Sequence, residues 1–214
     1  MTPHSLWRNR NFRYLFAASA FTNLGDGILA VAFPWFATLL TRDPVLIGMV
    51  AAARQLPWLL FSLPAGVLTD RFNRRNILLC ADAVRLLLAL AAVALAISAP
   101  TGNGAVVLLA ALTFLLGSAE VVRDNTAQTI LPNLVAAPQL EQANGLIWST
   151  EQLAGQFIGP PLAGYLIGLA IALPFGVESA ALALAIALVS AIRMPPLQKA
   201  APQAFGAALK EGLA

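Results

Sequence analysis

One cysteine, Cys80, and one histidine, His4, are the chain's whole supply of thiol and imidazole. A lone cysteine rules out an intrachain disulfide and a thiolate metal cluster. Cys80 lies in an apolar run and is expected to be a small core residue. His4 lies in the polar N-terminus, which leaves no Ser–His, Cys–His or His-ligated metal chemistry for the apolar interior. Charge is scarce too: 11% of the 214 residues are charged and 59% are hydrophobic, with a mean hydropathy of +0.77. A soluble domain of this size cannot hide that much apolar surface, so lipid is the solvent for much of it. The basic excess is small, thirteen Lys and Arg over ten Asp and Glu. It falls mainly between apolar runs rather than on one face or tail, which argues for a lipid bilayer and against a nucleic-acid partner.

What the chain has in quantity is long apolar runs. A helix crosses the hydrocarbon core in about 20 apolar residues. Six segments qualify: 14–40, 45–68, 76–98, 104–125, 140–169 and 172–192. The expected class is an all-α membrane protein with six transmembrane helices over residues 14–193, read as two three-helix units. Residues 1–13 and 194–214 are polar flanks, and residues 205–213 have the pattern of a beginning amphipathic helix. The first run outlasts the apolar region of a signal peptide and reads as a retained helix. Pro34, Pro57 and Pro64 fall in the first two helices, and Pro160 and Pro161 interrupt the fifth. Neighbouring groups in a membrane bundle satisfy the carbonyls such prolines free.

Basic residues orient the bundle. Arg8, Arg10 and Arg13 precede the first run, Arg71, Arg74 and Arg75 lie between the second and third, and Arg193, Lys199 and Lys210 follow the sixth. The opposite ends carry Arg42 alone, beside Asp43. Both termini are therefore expected in the cytoplasm.

Ionisable groups inside a span are costly and are functional candidates by default. With a rise of 1.5 Å per residue, Asp26 falls roughly 18–20 Å along the first helix and Glu151 roughly 15–17 Å into the fifth, both near mid-membrane. Arg54 falls about 12–14 Å from the outer end of the second. Two readings stay open: proton exchange or substrate contact, or a buried pair of Asp26 or Glu151 with Arg54 that fixes packing. Asp82 and Arg85 share a face of the third helix and are expected to pair there. Glu178, near the outer end of the sixth, is expected in solvent.

The stretch GVLTDRFNRR, residues 66–75, resembles the signature loop of the major facilitator superfamily, Gly-x-Leu-x-Asp-Arg-x-Gly-Arg-Arg/Lys. Gly66, Leu68, Asp70, Arg71, Arg74 and Arg75 fall in place. Asn73 stands where glycine is usual, and asparagine is the side chain best able to replace it at positive φ. In the fifth helix, GQFIGPPLAG is similar to the motif of that family's antiporters through Gly155, Gly159, Pro160 and Gly164, with Ala163 replacing a glycine. Gly155 and Gly159 share a face that permits close helix approach, and Pro160 bends the helix. NRNFRYLF, NLGDGILAVAFP, DAVR, ILPNLV and QLEQANGL resemble the bacterial drug, macrolide and siderophore exporter branch, whereas VVRDNTAQ departs from its fourth helix.

The resemblance implies the N-terminal six-helix half of a twelve-helix transporter in a bacterial inner membrane, not an enzyme. Its first, second, fourth and fifth helices would contribute to a central cavity, and its third would be peripheral. The implied activity is export of amphipathic small molecules by alternating access, with the proton gradient as energy source and no cofactor. The implied partner, beside substrate and lipid, is a C-terminal six-helix bundle in cis or in a second chain. Glu120, Arg123 and Asp124 fall in the last turns of the fourth helix, within reach of the 66–75 loop. A latch of Asp70, Arg71, Arg74 and Asp124 is expected there, with Arg123 and Glu120 above it, as either a two-state lock or a static staple. The rival reading is a non-transporting membrane scaffold or receptor built from a half-transporter.

Overall fold

A computed structural model describes residues 6–98 and 102–193, apart from the side chain of Asp70. His4, the 194–214 flank and residues 99–101 lie outside the described residues. Among those described there is no strand.

Helix α1, Arg10–Leu40, starts at Asn9, whose Oδ1 accepts from the Phe12 N–H at 3.1 Å. Such a cap satisfies one of the donors that a helix start leaves without a partner. Helix α2, Pro44–Arg71, opens with Asp43 accepting from the Val45 N–H at 2.8 Å and with Pro44 in its first turn, where a missing N–H costs nothing. Pro34, Pro57 and Pro64 are carried inside these two helices.

The charged stretch 66–75 is mostly helix rather than loop. Helix α2 runs through Arg71, helix α3 (Arg74–Ser98) begins three residues later, and only Phe72 and Asn73 lie between. Asn73 starts α3: its Oδ1 accepts from the Arg75 N–H at 3.0 Å. Helix α4, Asn103–Thr129, follows Gly102, whose φ of 94° suits glycine. It runs past the expected end at residue 125, so Glu120, Arg123 and Asp124 sit deeper in the bundle than the sequence suggests.

The short α5, Leu131–Leu134, and a 3₁₀ turn, Ala137–Gln139, lead into the fifth crossing. That crossing is composite: α6 (Leu140–Thr150), a π-helical segment (Glu151–Ile158) and α7 (Gly159–Leu169) follow without a break. Pro160 and Pro161 remove two successive N–H donors from its middle, and the wider winding precedes them. Helix α8, Leu173–Ser190, completes the bundle. Five helices (α1, α2, α3, α4 and α8) are long and apolar enough to cross a membrane singly, and the composite is the sixth.

Helix α1 is the hub. It packs on α8, on α7 and the π segment, on α2 and on α4, while α2 lies along α4 and α3 is held between α4 and α8. Two apolar clusters fill the interior. One, at the end holding most of the arginines, gathers Phe12, Leu15, Leu78, Ile130, Ile147 and Val189. The other, toward the opposite end, gathers Leu29, Phe33, Phe36, Leu95, Leu109 and Phe175, with the Phe33 and Phe175 rings edge to face at 5.2 Å. The start of α1 is tied to the ends of its neighbours. Asn11 Nδ2 donates to the Arg193 carbonyl at 2.9 Å, and the Arg193 N–H donates back to Asn11 Oδ1 at 3.2 Å.

Cys80 is exposed, not a core residue. It lines an apolar cleft of about 410 Å³ with Leu68, Phe72, Ile77, Val84 and Val122, where α2 and α3 diverge over α4.

Lipid tails are as apolar as the side chains between helices, so close packing replaces the hydrophobic effect as the force between them. Helix α1 meets the fifth crossing almost backbone to backbone. A Cβ added at Gly159 would stand 2.7 Å from Gly27 Cα, and one at Gly155 would stand 3.2 Å from the Asn23 carbonyl oxygen. A Cβ at Gly27 would overlap the Gly155 carbonyl, whereas one at Gly164 would meet nothing within 4 Å. Gly27→Ala is expected to lower the stability of the detergent-solubilised chain by about 3 kcal/mol, the upper end of overpacking costs, because the obstacle is backbone. Gly164→Ala should leave it unchanged, with unfolding followed by circular dichroism as the measurement.

Candidate functional site

Between the two apolar clusters lies a layer of buried polar side chains, and each contributing helix supplies it from the middle of an apolar run. Helix α1 gives Ser19, Thr22, Asn23 and Asp26, α3 gives Asp82 and Arg85, α4 gives Glu120 and Arg123, and α8 gives Glu178 and Ser179. The helical period turns these groups to the interior, so charges far apart in sequence meet.

Arg85 is the centre of one group. Its side chain is 1% exposed, and its Nη2 bonds both Asp26 Oδ1 and, at 2.9 Å, Glu178 Oε1. A Cβ added at Gly25 would overlap Glu178 Oε2, so that glycine makes room for the carboxyl. Arg123, also 1% exposed, centres a second group. It donates to Ser19 Oγ and to Asp124 Oδ1, each at 3.2 Å, and its Nε lies 3.7 Å from Asp82 Oδ1. Arg54 forms a third, with Nη2 at 3.5 Å from Glu120 Oε1 and donating to the Asp26 carbonyl at 3.1 Å. The chain of contacts runs from α8 through α3 and α1 to α2 and α4.

Several sequence expectations change here. Glu178 is not solvated: its side chain is 0% exposed and shares Arg85 with Asp26. Asp82 and Arg85 do not pair on their own helix. Arg85 reaches across to α1 and α8 while Asp82 turns toward Arg123 on α4, because buried charges on α3 are met by opposite charges on the helices flanking it. Arg54 does not pair with the carboxylate of Asp26 or with Glu151; its acid is Glu120. Glu151 opens the π segment, is partly exposed, and among the described residues has no ion pair.

Of the expected latch, Asp124 pairs with Arg123, its neighbour in sequence. Arg71 ends α2 and Arg74 opens α3, and the side chain of Asp70 lies outside the described residues. Arg75 reaches the end of α8, donating from Nε to the Val189 carbonyl at 3.2 Å and from Nη2 to that of Ser190. A cation there satisfies carbonyls that a helix end leaves without partners. Gly66 has open space at its Cβ position, and Leu68 borders the apolar cleft. In the fifth crossing, Gly155 and Gly159 carry the approach to α1, Pro160 opens α7, and Gly164 faces open space.

Glu178 is the member that sequence reasoning placed wrongly. The available signal was a lone acid inside an apolar run, which the cost of intramembrane charge flags whatever its distance from the helix end.

The arrangement can exchange partners. A guanidinium keeps its charge, so a carboxylate that gains or loses a proton changes which acid the arginine prefers. Among the described residues no group of three His, Cys, Asp or Glu is placed to hold a metal ion.

The whole chain, residues 1–214, matches the family model described as "Transmembrane secretion effector". It is 30% identical over 218 residues to the multidrug efflux pump Tap of Mycobacterium tuberculosis and to that of Mycobacterium bovis, a match covering 96% of this chain and 51% of each relative. The Tap pump of Mycolicibacterium fortuitum is 30% identical over 155 residues, 72% of this chain and 37% of the relative. The chain thus spans about half the length of the curated relatives it matches. With six helical crossings, the 66–75 signature and a match along its full length, this multi-pass membrane protein belongs to the transmembrane secretion effector family of the major facilitator superfamily.

Proposed function

We propose that this chain is the N-terminal half of a transporter, not an enzyme, that exports amphipathic small molecules such as drugs, macrolides or siderophores in exchange for protons. The observation that carries the reading is the buried layer in which Asp26 of α1, Arg54 of α2 and Glu120 of α4 meet at mid-bundle. Static packing gains little from such a layer, since apolar residues of the same volume are often as stable. Charges retained there suit a site that binds and releases protons. Asp26, whose Oδ1 holds Arg85 and whose Oδ2 has no hydrogen-bond partner, is the coupling acid in this reading. Glu151, partly exposed at the π segment, is the acid nearest to arriving substrate.

In alternating access this bundle rocks against a second six-helix bundle, in cis or in another chain. The arginines around residues 66–75 face the cytoplasm in this reading, with both termini, and the membrane is a bacterial inner membrane. The 66–75 segment and the Asp124 region form the contact that holds one conformation. The Tap relatives, named as multidrug efflux pumps, support the direction of transport.

In cells carrying this chain together with the bundle that completes the transporter, export of a dye or drug should stop when the proton gradient is collapsed. Asp26→Asn should abolish gradient-driven export with the gradient intact. Export unchanged by Asp26→Asn would make that acid structural, and no gradient-sensitive export of any compound would favour the scaffold reading. Arg85→Gln should act differently, leaving Asp26 and Glu178 unpaired and lowering stability by about 3–5 kcal/mol, the usual cost of breaking a buried pair. Thermal unfolding of the purified variant measures that loss.

A further inference from the structure

The buried layer holds more acids than it has arginines to pair with them. Its three guanidiniums can be matched one to one: Arg85 with Asp26, Arg54 with Glu120, and Arg123 with Asp124. Two carboxyls are then left over, Asp82 on α3 and Glu178 on α8, and both side chains are 0% exposed. Their geometry marks them as the surplus. Neither oxygen of Asp82 has a hydrogen-bond partner, and its approach to Arg123 is a long 3.7 Å. Glu178 gives one oxygen to an arginine already held by Asp26, and its Oε2 has no partner and lies against Gly25. An ionised carboxyl buried without a dedicated partner is among the costliest groups a protein can contain, and taking up a proton removes that cost.

We propose that Asp82 and Glu178 are two further proton-binding sites of this bundle, on α3 and α8. The other charged groups facing Glu178 are Asp26 on α1, Arg85 and Asp82 on α3 and Glu120 on α4. Those facing Asp82 are Asp26 on α1, Arg85 on its own helix, and Arg123 and Asp124 on α4. With protons on Asp82 and Glu178, the three arginines balance the three remaining carboxylates and the layer is neutral.

Shared hold of Arg85 then gives the pair Asp26 and Glu178 a specific exchange. When the Glu178 O–H bond breaks and the proton forms a bond to Asp26 Oδ2, Glu178 becomes the carboxylate paired with Arg85 and Asp26 becomes neutral. One proton moves, one ion pair replaces another, and net charge is unchanged. This use of the protons rests on the proton-coupled reading above; their presence does not.

The test is infrared spectroscopy of the full chain reconstituted in liposomes at neutral pH, reading the carboxylic-acid C=O stretch and its shift in D₂O. Wild type is expected to show the band, Asp82→Asn and Glu178→Gln each to lose part of it, and the double variant all of it. A band absent from wild type, or left at full height by either single variant, overturns the assignment. Absence of the band from wild type overturns the assignment even if a variant fails to fold. Because no transport is measured, failure here is distinct from failure of gradient-driven export.

Discussion

Arg85 carries a charge it cannot give up, at a level of the bundle where almost none of its side chain is exposed. Around that fixed charge the helices have little freedom. Asp26 must come from α1 and Glu178 from α8, and Gly25 must lack a side chain so that Glu178 fits. Helix α3 is thereby held to α1 by an ion pair, and to α8 by an ion pair as well as by packing. In lipid, where helix association draws nothing from expelling water, polar contacts of this kind carry a large share of the specificity. The helix expected to be peripheral supplies the group on which the layer is centred.

The apolar clusters on either side give the layer its setting. Helices α1, α3, α4 and α8 continue on both sides of their charges with residues of those clusters, as α1 does from Ala18 through Asp26 to Leu29 and α8 from Phe175 through Glu178 to Ala185. The charges therefore lie between two apolar plugs, with α2 and the partly exposed Arg54 on one flank. Helix α1 takes part in every layer, and its Gly27 lets the fifth crossing approach at backbone distance.

The fold was legible in the sequence because the bilayer imposes a length and a hydropathy that runs of residues must meet. The six crossings, the glycine contact through Gly155 and Gly159, and Asp26 and Arg54 as interior charges could all be read that way, whereas Glu120, placed by the sequence in the last turns of the fourth helix, lies deeper. Partner identity could not. Periodicity along one helix correctly put Asp82 and Arg85 on one face, but it carries no information about which neighbour that face meets. Glu178 was judged by its distance from a helix end, and the turn before α8 is so short that this distance did not bring it to solvent. The extent of helix through Asp70 and Arg71 was obscured for a similar reason. Charged residues suggested a loop, although a helix can run on beyond the apolar layer.

The π-helical segment of the fifth crossing has a consequence of a different kind. A π turn stores one residue more than an α turn, and that extra residue can migrate along a helix without cutting its hydrogen-bonded continuity. A residue that the bulge passes is turned once, by about 100° about the axis. Between Thr150 and Gly159 the crossing therefore carries slack in its winding, set against the glycine contact with α1 and just before two prolines. The side chains whose direction this wider winding sets include Glu151, the partly exposed acid of the crossing, and Gln156.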